Sequence, residues 1–136
     1  MPKSWVFDYQ REPGGYLYPA AILHVQGKNK TWQGFLMFVD SGTDTTLLTR
    51  EDALLLGIDY RSGKYTQVGG INRGFIDGYA HKLKVRLCDQ EFKAEIIFAD
   101  SDETPRLLGR QDIFKKFQVC FRDSKHQSYF TLEPID

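Results

Sequence analysis

The chain has 136 residues, 41% of them apolar and 14% aromatic, which is the composition of one folded domain and excludes a disordered chain. Eighteen basic residues balance eighteen acidic ones, and no stretch gathers Lys and Arg. That balance gives no support to a nucleic acid or a membrane surface as partner.

Residues 1–15 are polar and close on Pro13-Gly14-Gly15, so they are predicted to form an N-terminal arm ahead of a domain over 16–136. The arm has no apolar stretch long enough for a signal peptide, and no later window could span a bilayer. The expected location is cytoplasmic. Tyr16 to Gly27 is rich in β-branched and aromatic residues, Gly27-Lys28-Asn29-Lys30 reads as a turn, and Thr31 to Asp40 as the returning strand. In LTREDALLLGIDY, Thr49 and Asp52 stand at the spacing of a helix N-cap, and Gly57 is placed to stop the helix after about two turns.

Lys64 to Gly78 holds four glycines between strand-like residues and predicts a long hairpin with a mobile tip. Tyr79–Leu87 and Glu91–Ala99 read as two further strands around a Cys88-Asp89-Gln90 turn, and residues 101–105 (SDETP) as a loop. In RLLGRQDIFKKF the apolar Ile113, Phe114 and Phe117 fall at helical spacing and predict a second short helix. QVCF and SYFTLEP read as a closing hairpin. The chain is predicted to be a single, mainly β domain with one or two short helices.

Cys88 and Cys120 sit far apart in apolar runs and read as buried thiols in a reducing compartment. His24, His81 and His126 have no ligand spacing with each other or with the cysteines, so no metal is expected.

Two stretches carry chemistry. In FVDSGTDTTLL (38–48), Asp40 ends a buried-looking strand and would project from rigid backbone. Gly42 permits a sharp turn, and Ser41 and Thr43 set hydroxyls beside the carboxylate. Alone, Asp-Ser-Gly is an ordinary turn tripeptide. In RLLGRQDIF (106–114), two apolar residues, a Gly and an Arg lead into the expected helix; alone this is an ordinary strand-to-helix turn with a surface Arg.

FVDSGTDTTLL, VGGINRG and LLGRQDIF, in that order, resemble the retropepsin family of aspartic proteases, over about Leu17 to Leu132. The helix LTREDALLLGI and the ending FKKFQVCFRDSKHQSYFTLEP look more like cellular and bacterial members than viral ones. The resemblance implies an acid-protease barrel with a Gly-rich flap and one lobe per chain. A chain of this size holds one Asp-Ser-Gly motif, so the second carboxylate would come from Asp40 of an identical partner across a two-fold axis. The implied activity is hydrolysis of peptide bonds in an extended peptide or protein by an activated water, with no cofactor.

By the same resemblance Ser41 would bond across the axis to the partner's loop. Gly42 would offer its carbonyl to substrate, Thr43 would donate to the outer oxygen of Asp40, and Asp44 would pair with Arg110. Val68 to Gly74 would be the flap, with Gly69 allowing it to bend and backbone at Gly70 and Ile71 binding substrate as an added strand. Phe38, Leu47, Val68, Ile71 and Leu107 stand equally as subsite walls or plain core. Two departures from the viral pattern are Arg73 near the flap tip and Tyr18 where viral members carry Arg before the proline. The alternative to an enzyme is a catalytically silent dimeric peptide-binding or scaffold module of the same fold, or an inactive monomeric domain awaiting a partner.

Overall fold

The computed structural model describes residues 3–71 and 74–135. The N-terminal arm contributes β1 (Trp5–Asp8) and β2 (Gln10–Arg11), the latter paired with β3 (Leu17–Tyr18). Hydrophobic alternation then builds the central hairpin. In β4 (Ala20–Gln26), Ala21, Leu23 and Val25 point inward, and in β5 (Trp32–Val39) Phe35, Met37 and Val39 do the same. Ile22 faces Leu36 on the opposite, exposed side. The turn between them is a short 3-10 segment in which Asn29 and Lys30 take left-handed backbone angles.

After β5 come β6 (Leu47–Leu48) and the helix α1 (Arg50–Leu55). The helix begins with the expected capping box: Asp52 N–H donates to Thr49 Oγ1, and Thr49 N–H donates back to Asp52 Oδ2. Gly57 follows at φ +70, as a left-handed stop requires. The glycine-rich hairpin consists of β7 (Lys64–Ile71) and β8 (Gly74–Leu87). The expected strand at Tyr79–Leu87 is the continuation of the hairpin's second arm, and it turns at Cys88 into β9 (Gln90–Ala99). β10 (Leu107–Leu108), β11 (Phe117–Asp123) and β12 (Ser128–Pro134) complete the chain.

The main sheet runs β4-β5-β10-β6-β9-β8-β7, and β4 also pairs with β8 through Val25 and Val85, which joins its two sides. The second sheet has β12 between β1 and β11. Trp5, Phe7 and Tyr9 pack against the main core, with Phe7 stacked on the buried Phe130 at 4.9 Å, which explains why this polar segment folds onto the domain. A smaller cluster of Leu47, Val68, Ile97, Ala99 and Leu107 lies apart from the main core. Among the described residues no helix is long and apolar enough to cross a membrane.

Two expectations need correction. The stretch 106–117 contains a single irregular turn, Arg110–Phe114, and not a regular amphipathic helix. Gln111 is extended and Asp112 left-handed (φ 65), because the Asp112 carboxylate reaches across to accept Glu95 N–H at 2.8 Å. Ile113 and Phe117 are buried as that spacing suggested, but Phe117 belongs to β11. Of the two cysteines expected to be buried, Cys88 is half-buried and Cys120 is exposed on β11; both are free thiols.

Candidate active site

β5 carries Asp40 to its place. Phe38 N–H donates to Arg106 C=O and Asp40 N–H to Leu108 C=O, so the strand runs beside β10 up to the carboxylate itself. β10 is parallel to β5 and antiparallel to β6, and it fills the gap between the strands that enter and leave the Asp40 loop. The chain after β10 then ties down the rest of that loop. Gly109 N–H donates to Thr46 Oγ1 (3.1 Å), Arg110 N–H to Thr43 C=O (2.9 Å) and Gln111 N–H to Asp44 C=O (3.0 Å). A side chain at Gly109 would overlap the carbonyl oxygen of Thr45, so the contact requires glycine.

Within the loop, Gly42 N–H donates to Asp40 Oδ1 at 2.8 Å, a short turn that sets the carboxylate's direction. Asp40 is half-buried, and Ser41 and Gly42 are exposed at the tip. A Cβ at Gly42 would come within 3.2 Å of the same Oδ1. Thr43 Oγ1 accepts Thr45 N–H at 3.2 Å; no bond from it to Asp40 is formed in the single chain. Arg110 Nη2 lies 3.0 Å from Asp44 Oδ1, with both side chains more than half exposed.

The strand's period places Leu36, Phe38 and Asp40 on one face. Phe38 is exposed there, its ring stacked on Tyr18 at 5.6 Å. Leu47, Val68 and Leu107 are buried together in the small cluster, to which Ile76 and Ala80 of β8 also pack. Gly69 and the backbone of Gly70 and Ile71 form the end of β7, an edge strand of the main sheet. The side chain of Ile71, expected as a subsite wall, and Arg73, expected to put charge at the flap tip, lie outside the described residues. No group of three or more His, Cys, Asp or Glu able to hold a metal occurs among the described residues.

Residues that the spacing alone did not single out are Thr46, whose buried hydroxyl takes the Gly109 amide, and Tyr18 as the partner of Phe38. A threonine immediately before an apolar pair is the only local signal for the first, and nothing local signals the second.

The architecture matches one solved structure across almost its full length and another across 72% of it. The crystal structure of a retropepsin-like aspartic protease from Rickettsia conorii superposes with a TM-score of 0.64 at 24% identity, covering 99% of this chain and 97% of that one. The chain has the retropepsin-like fold. EIAV protease, in its complex with the inhibitor HBY-793, is similar over 72% of this chain and 86% of its own, with a TM-score of 0.55 and 24% identity. Neither a family model nor a curated protein sequence matches the chain. Within the retropepsin-like fold seen here, the Asp40 loop and the segment 106–111 that braces it form one hydrogen-bonded unit.

Proposed function

We propose that the protein is an aspartic endopeptidase in which the Asp40 carboxylates of two identical chains face each other across a two-fold axis. The observation that carries the reading is the Asp40 loop itself. A carboxylate stands at the end of a half-buried strand, oriented by Gly42 N–H and braced by β10 and Gly109–Gln111, within a retropepsin-like fold that supplies one such loop per chain. Two carboxylates brought to hydrogen-bonding distance share one proton, because both cannot ionise at low cost so close together. The charged member takes a proton from a water as it attacks the scissile carbonyl. The protonated member donates to that carbonyl's oxygen and then passes its proton to the leaving amine. The water's hydroxyl ends in the new carboxyl group, its other proton stays on the carboxylate that took it so that the two members exchange roles, and no covalent acyl-enzyme forms.

Ser41, exposed at the loop tip, bonds across the axis in this reading, and Thr43 keeps a hydroxyl proton to give to Asp40. β7 takes an extended peptide along its free edge, so the substrate is a peptide or protein segment without secondary structure of its own. The two free thiols accord with a reducing, cytoplasmic setting.

The test is cleavage of a peptide library between about pH 4 and 7, the acidic side on which a shared proton is retained, by the wild type and by Asp40→Asn. The wild type should cleave and the variant should lose at least about a thousandfold, since one neutral amide removes the base from the pair. Equal cleavage by both removes the mechanism. Binding of peptides without cleavage by either would favour the silent peptide-binding module. Sedimentation of the wild type should show a dimer whose dissociation on dilution parallels the loss of activity.

A further inference from the structure

The β7–β8 hairpin leaves the main sheet at one definable place. β8 pairs with β9 from Leu87 back to Gly78, which lies opposite Ala99; farther out, Gly74–Asp77 pair with β7 alone. The sheet narrows there to a two-stranded ribbon, and such a ribbon has little stability of its own. One face of the ribbon is supported by the small cluster, into which Val68 and Ile76 pack. The other face carries Tyr65, Gln67, Asp77 and Tyr79, by the two-residue period of the paired strands.

At the point of narrowing, that second face is tied to the rest of the chain. The Tyr79 ring meets those of Tyr65 and Tyr60, each at 5.8 Å between centroids and at 65° and 70° between planes, an edge-to-face arrangement that aromatic rings favour. The Tyr65 hydroxyl donates to Asp77 Oδ1 at 2.6 Å and the Tyr60 hydroxyl to Asp100 Oδ1 at 2.8 Å. Asp100 N–H in turn donates to Asp77 C=O at 2.8 Å. These five residues form one connected group that joins β7, β8, the residue after β9 and the 3-10 turn Tyr60–Ser62. The turn is seated on β8 without a gap: His81 Nε2 donates to Tyr60 C=O at 2.8 Å, and a side chain at Gly63 would overlap the carbonyl oxygen of Ala80.

We infer that Tyr60, Tyr65 and Tyr79, with Asp77 and Asp100, are positioning residues for the peptide: they latch the angle at which the ribbon leaves the sheet, and with it the distance of the β7 edge from Asp40. The inference rests on the protease reading. Without the latch the small cluster holds the ribbon on one face only, and the β7 edge drifts. A substrate strand bonded to that edge is then bound less tightly. The Asp40 loop, braced separately through β10 and Gly109, is not disturbed.

Hydrogen exchange and kinetics test the latch together, the substrate being the library peptide that the wild type cuts fastest. Tyr79→Ala removes the central ring and should speed amide exchange about tenfold in Thr66–Ile71 and Gly74–Asp77, with β4, β5 and β12 at wild-type protection. It should raise KM about tenfold and leave kcat within about threefold, because the loosened bonds are remote from the reacting atoms. Tyr79→Phe keeps the ring and should match the wild type in both readouts. Tyr60→Phe deletes only the hydroxyl on Asp100 and should fall between the two; it carries the comparison alone should Tyr79→Ala not fold. Ribbon exchange equal to the wild type, exchange raised alike in every strand, or a loss in kcat with KM unchanged overturns the latch and leaves the protease reading standing. If the wild type cleaves no peptide, that reading fails, and exchange alone decides whether these residues hold the ribbon: speeding confined to it supports the latch, and any other pattern overturns it.

Discussion

The amide of Gly109 donates to the hydroxyl of Thr46 over 3.1 Å, and both residues are buried. This bond joins the strand that leaves the Asp40 loop to the turn that braces it, across 63 residues of sequence. Thr46→Val keeps the shape and removes the acceptor, leaving a buried N–H unpaired at a cost of about 1–3 kcal/mol. Thr46→Ser should restore most of that stability. Urea unfolding of the three proteins measures it, and a Thr46→Val midpoint equal to the wild type would show that the bond is not stabilising.

Gly109→Ala should be far worse than Thr46→Val. The added methyl would collide with the Thr45 backbone and not with a side chain that could swing away. The loop would have to move by more than a rotamer change allows, and a loss of about 3 kcal/mol or more follows. The measurement is soluble yield and melting temperature. A variant melting within a degree or two of the wild type would mean that the two segments are not in contact.

Asp52 is 1% exposed, caps α1 and holds Arg106 at two points. Burial by itself would raise its carboxyl, but the hydrogen bonds from Arg106 and Thr49 outweigh burial and hold it below the ordinary 3.8. A carboxyl lowered in the folded state adds stability above its unfolded value and loses that contribution as pH falls through the folded one. The wild-type urea midpoint should therefore hold from neutrality to about pH 5 and drop below about pH 4. Asp52→Asn should cost about 2 kcal/mol at neutral pH, less than a fully buried pair would because Arg106 keeps access to water, and its acid decline should be shallower. Parallel pH profiles for the two proteins would contradict the assignment.

The Asp44–Arg110 pair is exposed on both sides, 74% and 52%, and in the isolated chain it is worth at most about 1 kcal/mol. The backbone bonds from Arg110 and Gln111 hold the loop without it. If the proposed dimer brings the two Asp40 loops together, the pair bracing each loop should lose water, and its removal should matter more there. Arg110→Ala should leave the monomer's melting temperature nearly unchanged while weakening dimerisation and cleavage by about tenfold. A large drop in monomer stability with dimerisation intact would reverse that ranking.

Cys88 and Cys120 should differ sharply in reactivity. Burial, with the Asp89 carboxylate adding to it, pushes the Cys88 thiol up to about 12, whereas Cys120 is exposed on β11. A disulfide reagent at pH 8 should modify one thiol promptly and the second only after denaturation. Cys120→Ser should abolish the prompt phase, and prompt reaction persisting in that variant would place Cys88 at the surface.

Much of the architecture is legible in local patterns. The alternation in 32–39 specifies a half-buried strand, and the Thr49–Asp52 spacing specifies a helix start. The glycines of 64–78 specify a hairpin. Where the local pattern misleads, a distant partner intervenes. Asp112 abandons a helix because its carboxylate finds the Glu95 amide, and segment 5–8 of the otherwise polar arm becomes a strand because Phe7 finds Phe130.

The sequence by itself determined the strand periodicity, the helix cap and the acidic loop Asp40-Ser41-Gly42, because each depends on residues within a few positions of one another. Only the tertiary structure decided that Leu107–Leu108 lies between β5 and β6 and that Gly109 meets Thr46. Those relationships join segments far apart in the chain, and they exist only once the apolar faces of all the strands have been buried together.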